Sequence, residues 1–393
     1  MELTKKQKIG LDLAVEKYKN KEKFIVISGY AGSGKSTLVR FIVEALEIPE
    51  EEICYATFTG KAAEVLRKKG NPNSLTLHKL LYENYPRKDG TFYRRPKLSL
   101  EYKVVVVDEI SMAPKEMVDL LLKFPVFCIF LGDPFQLPPI CKDTDNGLLE
   151  HPDVFLDEIM RQAAESEIIQ LTMKIRNHQP ISYFKGKEVM VIPKSELLTG
   201  HLTWADMIIC GTNNQRLTTN KEMRKILGYE KDIEEGEKVI IKRNYWDCLN
   251  FDFEPLVNGS VGYINNIRES YAIIPKYIKN LDNYFIESFN ANFRPEVGSI
   301  YPEFKFDKRF LIEEVSDITP QIEYQIRRNA FLEIPDIPLR MTYGYAITCH
   351  SAQGSQWDKV LVLEEKFPYD KEEHARWLYT ACTRPAQKLV LVR

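Results

Sequence analysis

The feature that most constrains this chain is a series of strand-length apolar runs alternating with helical patterns. KFIVISGY (23–30), EICYATF (52–58), VVVVDE (104–109) and VFCIFLGD (126–133) are apolar almost throughout rather than at every second residue. Strands of that kind belong where helices cover both faces of a parallel sheet. Between them, residues 4–20 place Ile9, Leu13 and Val15 to Tyr18 at amphipathic spacing. Further helical patterns run from Ser36 to Leu46 and from about Gly60 to Lys69. The alternation resumes in DMIICGT (206–212), EKVIIKR (237–243), KVLVLEE (359–365) and KLVLVR (388–393). The expected fold class is therefore α/β, in two units with parallel sheets.

Two stretches break this rhythm. Residues 84–98 hold a DG turn flanked by Tyr, Phe and Arg, which predicts a β-hairpin. Residues 259–337 are rich in aromatics, proline and charge, with short alternating runs and no helical period, which predicts a small β-domain inserted in the second unit. A length of 393 residues leaves room for two or three domains. Lys+Arg 54 against Asp+Glu 56 excludes a globally basic nucleic-acid binder but not a local basic channel. The seven cysteines form no CxxC pair and no zinc spacing, so free thiols in a reducing, cytoplasmic setting are expected. The polar N-terminus and the lack of a ~20-residue apolar run predict neither a signal peptide nor a membrane span.

GYAGSGKS (29–36) fits GxxxxGK[ST] and lies between a predicted strand and a predicted helix, the context that motif needs. Glycines let the backbone wrap a polyphosphate with its N–H groups turned inward. The candidate ATP-binding set is Gly32, Ser33, Gly34, Lys35, Ser36 and Thr37, with Lys35 on the β- and γ-phosphates and the Ser36 hydroxyl on Mg²⁺. VVVVDE ends a buried run on two carboxylates. Asp108 is the expected second Mg²⁺ ligand, and Glu109 the general base that polarises the attacking water. Together these point to hydrolysis of a nucleoside triphosphate.

FLGDPFQLPPI (130–140) resembles motif III of superfamily 1 helicases. ATFTGKAA (56–63), TLHKLL (76–81), EIMRQ (158–162), TCHSAQGSQWDKV (348–360) and LYTACTRP (378–385) resemble motifs Ia, Ib, IV, V and VI. Their order resembles the 5′→3′ 1B branch, the Dda- and RecD-like DNA helicases, from Gln7 to Arg384. The resemblance implies RecA-like domain 1A at 1–150 with pin insert 1B at 84–98. It implies RecA-like domain 2A at 151–258 and 338–393, and an SH3-like accessory domain 2B at 259–337. Gln136 would sense the γ-phosphate, and Arg161 and Arg384 would be arginine fingers.

Gln7 would read adenine, although Thr4 and Gln7 also have the spacing of a capping box. Thr59, Lys61, His78, Thr348 and His350 would face a DNA strand, and Phe92 near the hairpin tip would stack on a duplex junction. Singly these residues also read as helix caps, structural histidines or a plain surface hairpin. Tyr30 stands where proline is common, Ser351 where lysine often follows the histidine, and Pro385 directly follows Arg384.

The implied partners are single-stranded DNA and duplex junctions, with single-strand-binding or replication proteins as candidate protein partners. The expected function is an ATP-dependent helicase and translocase. The alternatives are a nucleic-acid-stimulated ATPase that remodels protein–DNA complexes, an RNA helicase, and a small-molecule NTPase or kinase. The last lacks a use for arginine motifs in a second unit.

Overall fold

The computed structural model describes residues 3–68, 70–86, 92–138, 146–160, 165–251, 255–274, 285–296, 298–328, 337–367 and 370–393. The chain divides into two compact units, one of Met1–Leu81, Pro96–Thr219 and Ala346–Arg393, the other of Tyr82–Arg95 and Asn220–Tyr345.

The first unit holds two six-stranded sheets. One is parallel throughout, in the order Ser74–Thr76, Ile53–Thr57, Val104–Val107, Phe127–Gly132, Phe24–Gly29, Val154–Leu156. Its inner strands are apolar because both faces are covered, and Ile25, Ile27, Val104 and Ile129 pack with Leu38 and Ile42 of the helix Lys35–Ala45. The order brings Phe24–Gly29 beside Phe127–Gly132 and Val104–Val107 one strand further out. The loops after these three strands therefore leave the same carboxyl edge, where ligands of open α/β sheets bind.

The other sheet runs Ala346–Thr348, Met207–Cys210, Trp357–Leu363, Pro385–Val392, Val189–Ile192, all parallel, with Phe184–Lys185 antiparallel at one edge. The helix Lys371–Cys382 precedes the strand Pro385–Val392 and is buried along most of its second half, through Trp377, Leu378, Tyr379, Thr380, Ala381 and Cys382.

The second unit is built on an antiparallel sheet in the order Tyr301–Asp307, Phe285–Pro295, Val261–Ile273, Lys238–Ile241, Met341–Tyr343. Phe289, Phe293 and Phe306 fill its core, and Phe289 stacks on Phe306 at 5.7 Å. Two expectations are corrected here. The apolar run 237–243 does not extend the second parallel sheet; Lys238–Ile241 pairs antiparallel with strands on both sides. The insert is also not all β, since helices Lys308–Glu313 and Pro320–Arg328 lie within it. The predicted hairpin is present as paired strands Tyr82–Pro86 and Phe92–Pro96, while its DG turn lies outside the described residues. Among the described residues, no helix is long and apolar enough to cross a membrane, and six cysteines are free and buried.

Candidate active site

The strand Phe24–Gly29 leads into a loop that closes on the first turn of the helix Lys35–Ala45. Gly32 and Gly34 take φ of 78° and 81°, which favours glycine at both. Space adds a second reason at Gly34, where a Cβ would stand 2.5 Å from the Gln7 amide nitrogen. The Lys35 ammonium donates to the carbonyls of Gly29 at 2.6 Å and Tyr30 at 3.0 Å, which keeps its charge within the loop. Ser33 is buried, whereas Ser36 is exposed and Thr37 half-buried at the helix start.

Gln7 is fully buried. Its Oε1 accepts the Thr4 N–H at 2.9 Å, its own N–H donates to Thr4 Oγ1 at 3.3 Å, and the capping box is complete. Its Nε2 donates to the carbonyls of Ser33 at 3.4 Å and Gly34 at 3.3 Å. The amide thus ties the first helix to the glycine loop.

The strand Val104–Val107 delivers Asp108 and Glu109 to the same edge. Glu109 has φ 52°, an uncommon backbone state for a non-glycine residue that is often stored at functional sites. Asp108 Oδ1 accepts the Glu109 N–H at 2.9 Å. Gln136 then bridges across. Its amide nitrogen donates to Glu109 Oε2 at 3.1 Å and its oxygen accepts from Arg384 Nη2 at 3.2 Å, the orientation its neighbours require. Arg384 Nη1 lies 4.0 Å from Glu109 Oε1.

Arg384 itself is 5% exposed and held by its Nε donating to the Thr380 carbonyl at 3.0 Å. Three sequence-predicted residues, two from the first sheet and one from the second, therefore meet at one carboxylate. Arg161 lies outside the described residues.

The Gln136 loop is anchored from the second sheet. Thr380 Oγ1 accepts the Leu137 N–H at 2.9 Å, Gln353 Nε2 donates to the Leu137 carbonyl at 2.7 Å, and Arg376 donates to the Pro134 carbonyl at 3.0 Å. Sequence reading stopped at the motif arginine and missed Gln353, Arg376, Tyr379 and Thr380. For Tyr379 and Thr380 the available signal was an unbroken buried helix half, whose polar side chains need partners. Tyr30, the departure in the glycine loop, lies under the Arg176 guanidinium at 3.6 Å and edge-on to Phe155 at 5.1 Å.

Of the strand-facing candidates, Thr59 precedes the helix Gly60–Lys68, His78 lies in the helix Leu77–Leu81, Thr348 ends the strand Ala346–Thr348 and His350 lies in the helix Cys349–Ala352, all in the first unit, whereas Phe92 belongs to the second. Thr59 Oγ1 accepts the Ala62 N–H at 3.2 Å, as a helix cap does. A Cβ at Gly354 would stand 3.0 Å from Thr59 Oγ1, so the turn after His350 approaches Thr59 directly. His78 tilts against Phe58 at 5.7 Å. Thr348 Oγ1 and Ser351 Oγ share a hydrogen bond at 3.1 Å. Burial holds the His350 imidazole below its usual range, which favours its neutral form. The side chains of Lys61 and Phe92 lie outside the described ones.

The family described as AAA domain matches residues 3–188, and that described as UvrD-like helicase C-terminal domain matches residues 343–392. The ATP-dependent DNA helicase dda of Enterobacteria phage T4 is 22% identical over 435 residues, across 98% of this chain and 97% of that protein. Uncharacterized protein R530 of Acanthamoeba polyphaga mimivirus is 33% identical over 491 residues, across 94% of this chain and 95% of that protein. The solved Pif1 helicase from Bacteroides, in complex with ADP-AlF3 and ssDNA, shares the fold with a TM-score of 0.53 at 18% identity, over 100% of this chain and 92% of that one. With its motifs in the family's order on two parallel sheets, and with relatives matching along almost its whole length, the chain belongs to the superfamily 1B helicases.

Proposed function

We propose that this protein is an ATP-dependent DNA helicase and translocase that moves 5′→3′ on single-stranded DNA. The observation that carries the reading is the Glu109–Gln136–Arg384 convergence, because an arginine from the second sheet is at hand for charge that develops beside the first sheet's carboxylates. In this reading, Gly32 to Thr37 cradle the phosphates and Lys35 neutralises them. Glu109 orients and polarises the attacking water, Gln136 senses the γ-phosphate, and Arg384, with Arg161, stabilises the transferring phosphoryl group. Gln7 supports the glycine loop from below and borders the base.

Mg²⁺ suits the donors present. A hydroxyl and one carboxylate, Ser36 and Asp108, leave the remaining positions to water and phosphate oxygens, the usual pattern for this ion. Among the described residues no cluster of three or more His, Cys, Asp or Glu offers an all-protein cage. When bound, the ion would neutralise phosphate charge.

Loss of the γ-phosphate removes one partner of Arg384 and Gln136, and the contacts between the two sheets' loops then change with nucleotide state. A strand held by Thr59, Lys61 and His78 on one side and Thr348 and His350 on the other would be moved as they do. The close approach of Gly354 to Thr59 supports that placement. Phe92 on the hairpin would meet the duplex junction. Buried free thiols support a reducing, cytoplasmic compartment.

The test is ATP turnover with and without oligo(dT). Turnover rises by about tenfold or more with the strand, equivalent to ~1.4 kcal/mol off the barrier. Equal rates would contradict the reading, and a rise with oligo(U) alone would move the substrate to RNA.

A further inference from the structure

A buried phenol bonds both the glycine loop and the Gln136 loop, and no motif role accounts for it. Tyr379 is 1% exposed, in the buried half of the helix Lys371–Cys382. Its Oη donates to Asp133 Oδ2 at 2.6 Å and accepts the Ala31 N–H at 2.9 Å. Its ring meets Phe135 edge-on at 5.2 Å. Asp133, 2% exposed, begins the loop that carries Gln136, and its Oδ1 accepts the Phe135 N–H at 3.0 Å. One hydroxyl thus joins the glycine loop, the Gln136 loop and the helix that ends beside Arg384.

The geometry points to Tyr379 as a positioning residue that sets Arg384 and Gln136 against Glu109 according to the state of the glycine loop. The inference rests on the nucleotide-hydrolysing reading above and assigns how that site is held in register. Two routes leave the phenol. Along its own helix, the next residue, Thr380, accepts from Arg384 Nε through its carbonyl at 3.0 Å and from Leu137 N–H through its hydroxyl. Across the hydrogen bond, Asp133 fixes the turn at Phe135, one residue before Gln136. Both routes end at the Glu109 carboxylate.

The bond to Asp133 is short, at 2.6 Å, and therefore directional. Burial pushes the Asp133 carboxyl up, while the Lys35 ammonium and the Tyr379 hydroxyl favour its ionised form.

The experiment is a double-mutant cycle with Tyr379→Phe and Asp133→Asn in the full chain, read as kcat and KM for ATP without DNA. Tyr379→Phe keeps the ring and removes both bonds of the hydroxyl. The expected result is a kcat about tenfold lower in each single variant, KM within about twofold, and a double variant no worse than either single. Binding of a fluorescent ATP analogue within about twofold of wild type shows that the loop is folded.

A kcat for Tyr379→Phe within about twofold of wild type would overturn the proposal, as would a double variant about a hundredfold down, because independent losses multiply. A lower melting temperature with kcat intact would do the same, since it assigns the phenol to packing alone. If Asp133→Asn does not fold, the kcat and KM of Tyr379→Phe still decide. Because this is measured without DNA, a wild type that ignores oligo(dT) sinks the helicase reading and leaves the positioning role open to this test.

Discussion

Replacing Arg384 with alanine lowers ATP turnover by ~10³-fold or more while ATP affinity stays within a few-fold, the pattern of a group engaged in the transition state. The guanidinium is almost fully buried, donates to the Thr380 carbonyl and lies beside Gln136 and Glu109. Its hydrogen bonds are therefore set before any phosphoryl charge develops, which is what makes such a donor effective in a site that excludes water. Arg384→Lys is expected to recover only a small part of the loss. An ammonium keeps the charge, but it cannot bond the Thr380 carbonyl and Gln136 oxygen in one plane while a further N–H faces the phosphate. A variant Arg384→Ala with KM raised and kcat unchanged would place the arginine in ground-state binding instead.

Lys35→Ala abolishes turnover, with a loss of more than ~10³-fold. Two effects add in the same direction. The ammonium that would neutralise the β- and γ-phosphates is gone, and so is the cation that favours ionised Asp133. Glu109→Gln gives the contrasting phenotype: ATP is bound and retained, but water is no longer polarised, so bound triphosphate accumulates. If Lys35→Ala kept a tenth of wild-type turnover, the loop at 29–36 would not be the phosphate site. Normal turnover by Glu109→Gln would remove the general-base assignment.

The candidate residues at the carboxyl edge of the first sheet share a local cause for being visible in the sequence. The glycine loop is visible because strand, motif and helix follow one another within about twenty residues, and each imposes its own pattern on the sequence. The carboxylates at 108 and 109 are visible because they end an all-valine strand. Where local pattern is shared by two architectures, it misleads. The run VII in Lys238–Ile241 is buried on both faces, and a central antiparallel strand with both faces covered reads the same as a parallel one.

Strands of three residues, such as Ser74–Thr76 and Val154–Leu156, carry too few side chains to show a period. Lys308–Glu313 is equally short for a helical pattern among aromatics. The partners of Leu137 and Tyr379 were illegible for a different reason. Leu137 meets Thr380 and Asp133 meets Tyr379 across more than 240 positions of sequence, and only the packing of the two sheets' loops brings them together. Gln7 sits between these cases: its capping box was legible at a spacing of three, and its bonds to the Ser33 and Gly34 carbonyls were not.

The most direct measurement of the central claim is strand separation on tailed duplexes, with 5′ and 3′ overhangs assayed side by side with ATP. Unwinding of the 5′-tailed DNA, lost in Lys35→Ala and Arg384→Ala, is the predicted result. Contradiction would come from wild-type protein that hydrolyses ATP yet separates neither duplex, or that separates only the one with a 3′ tail.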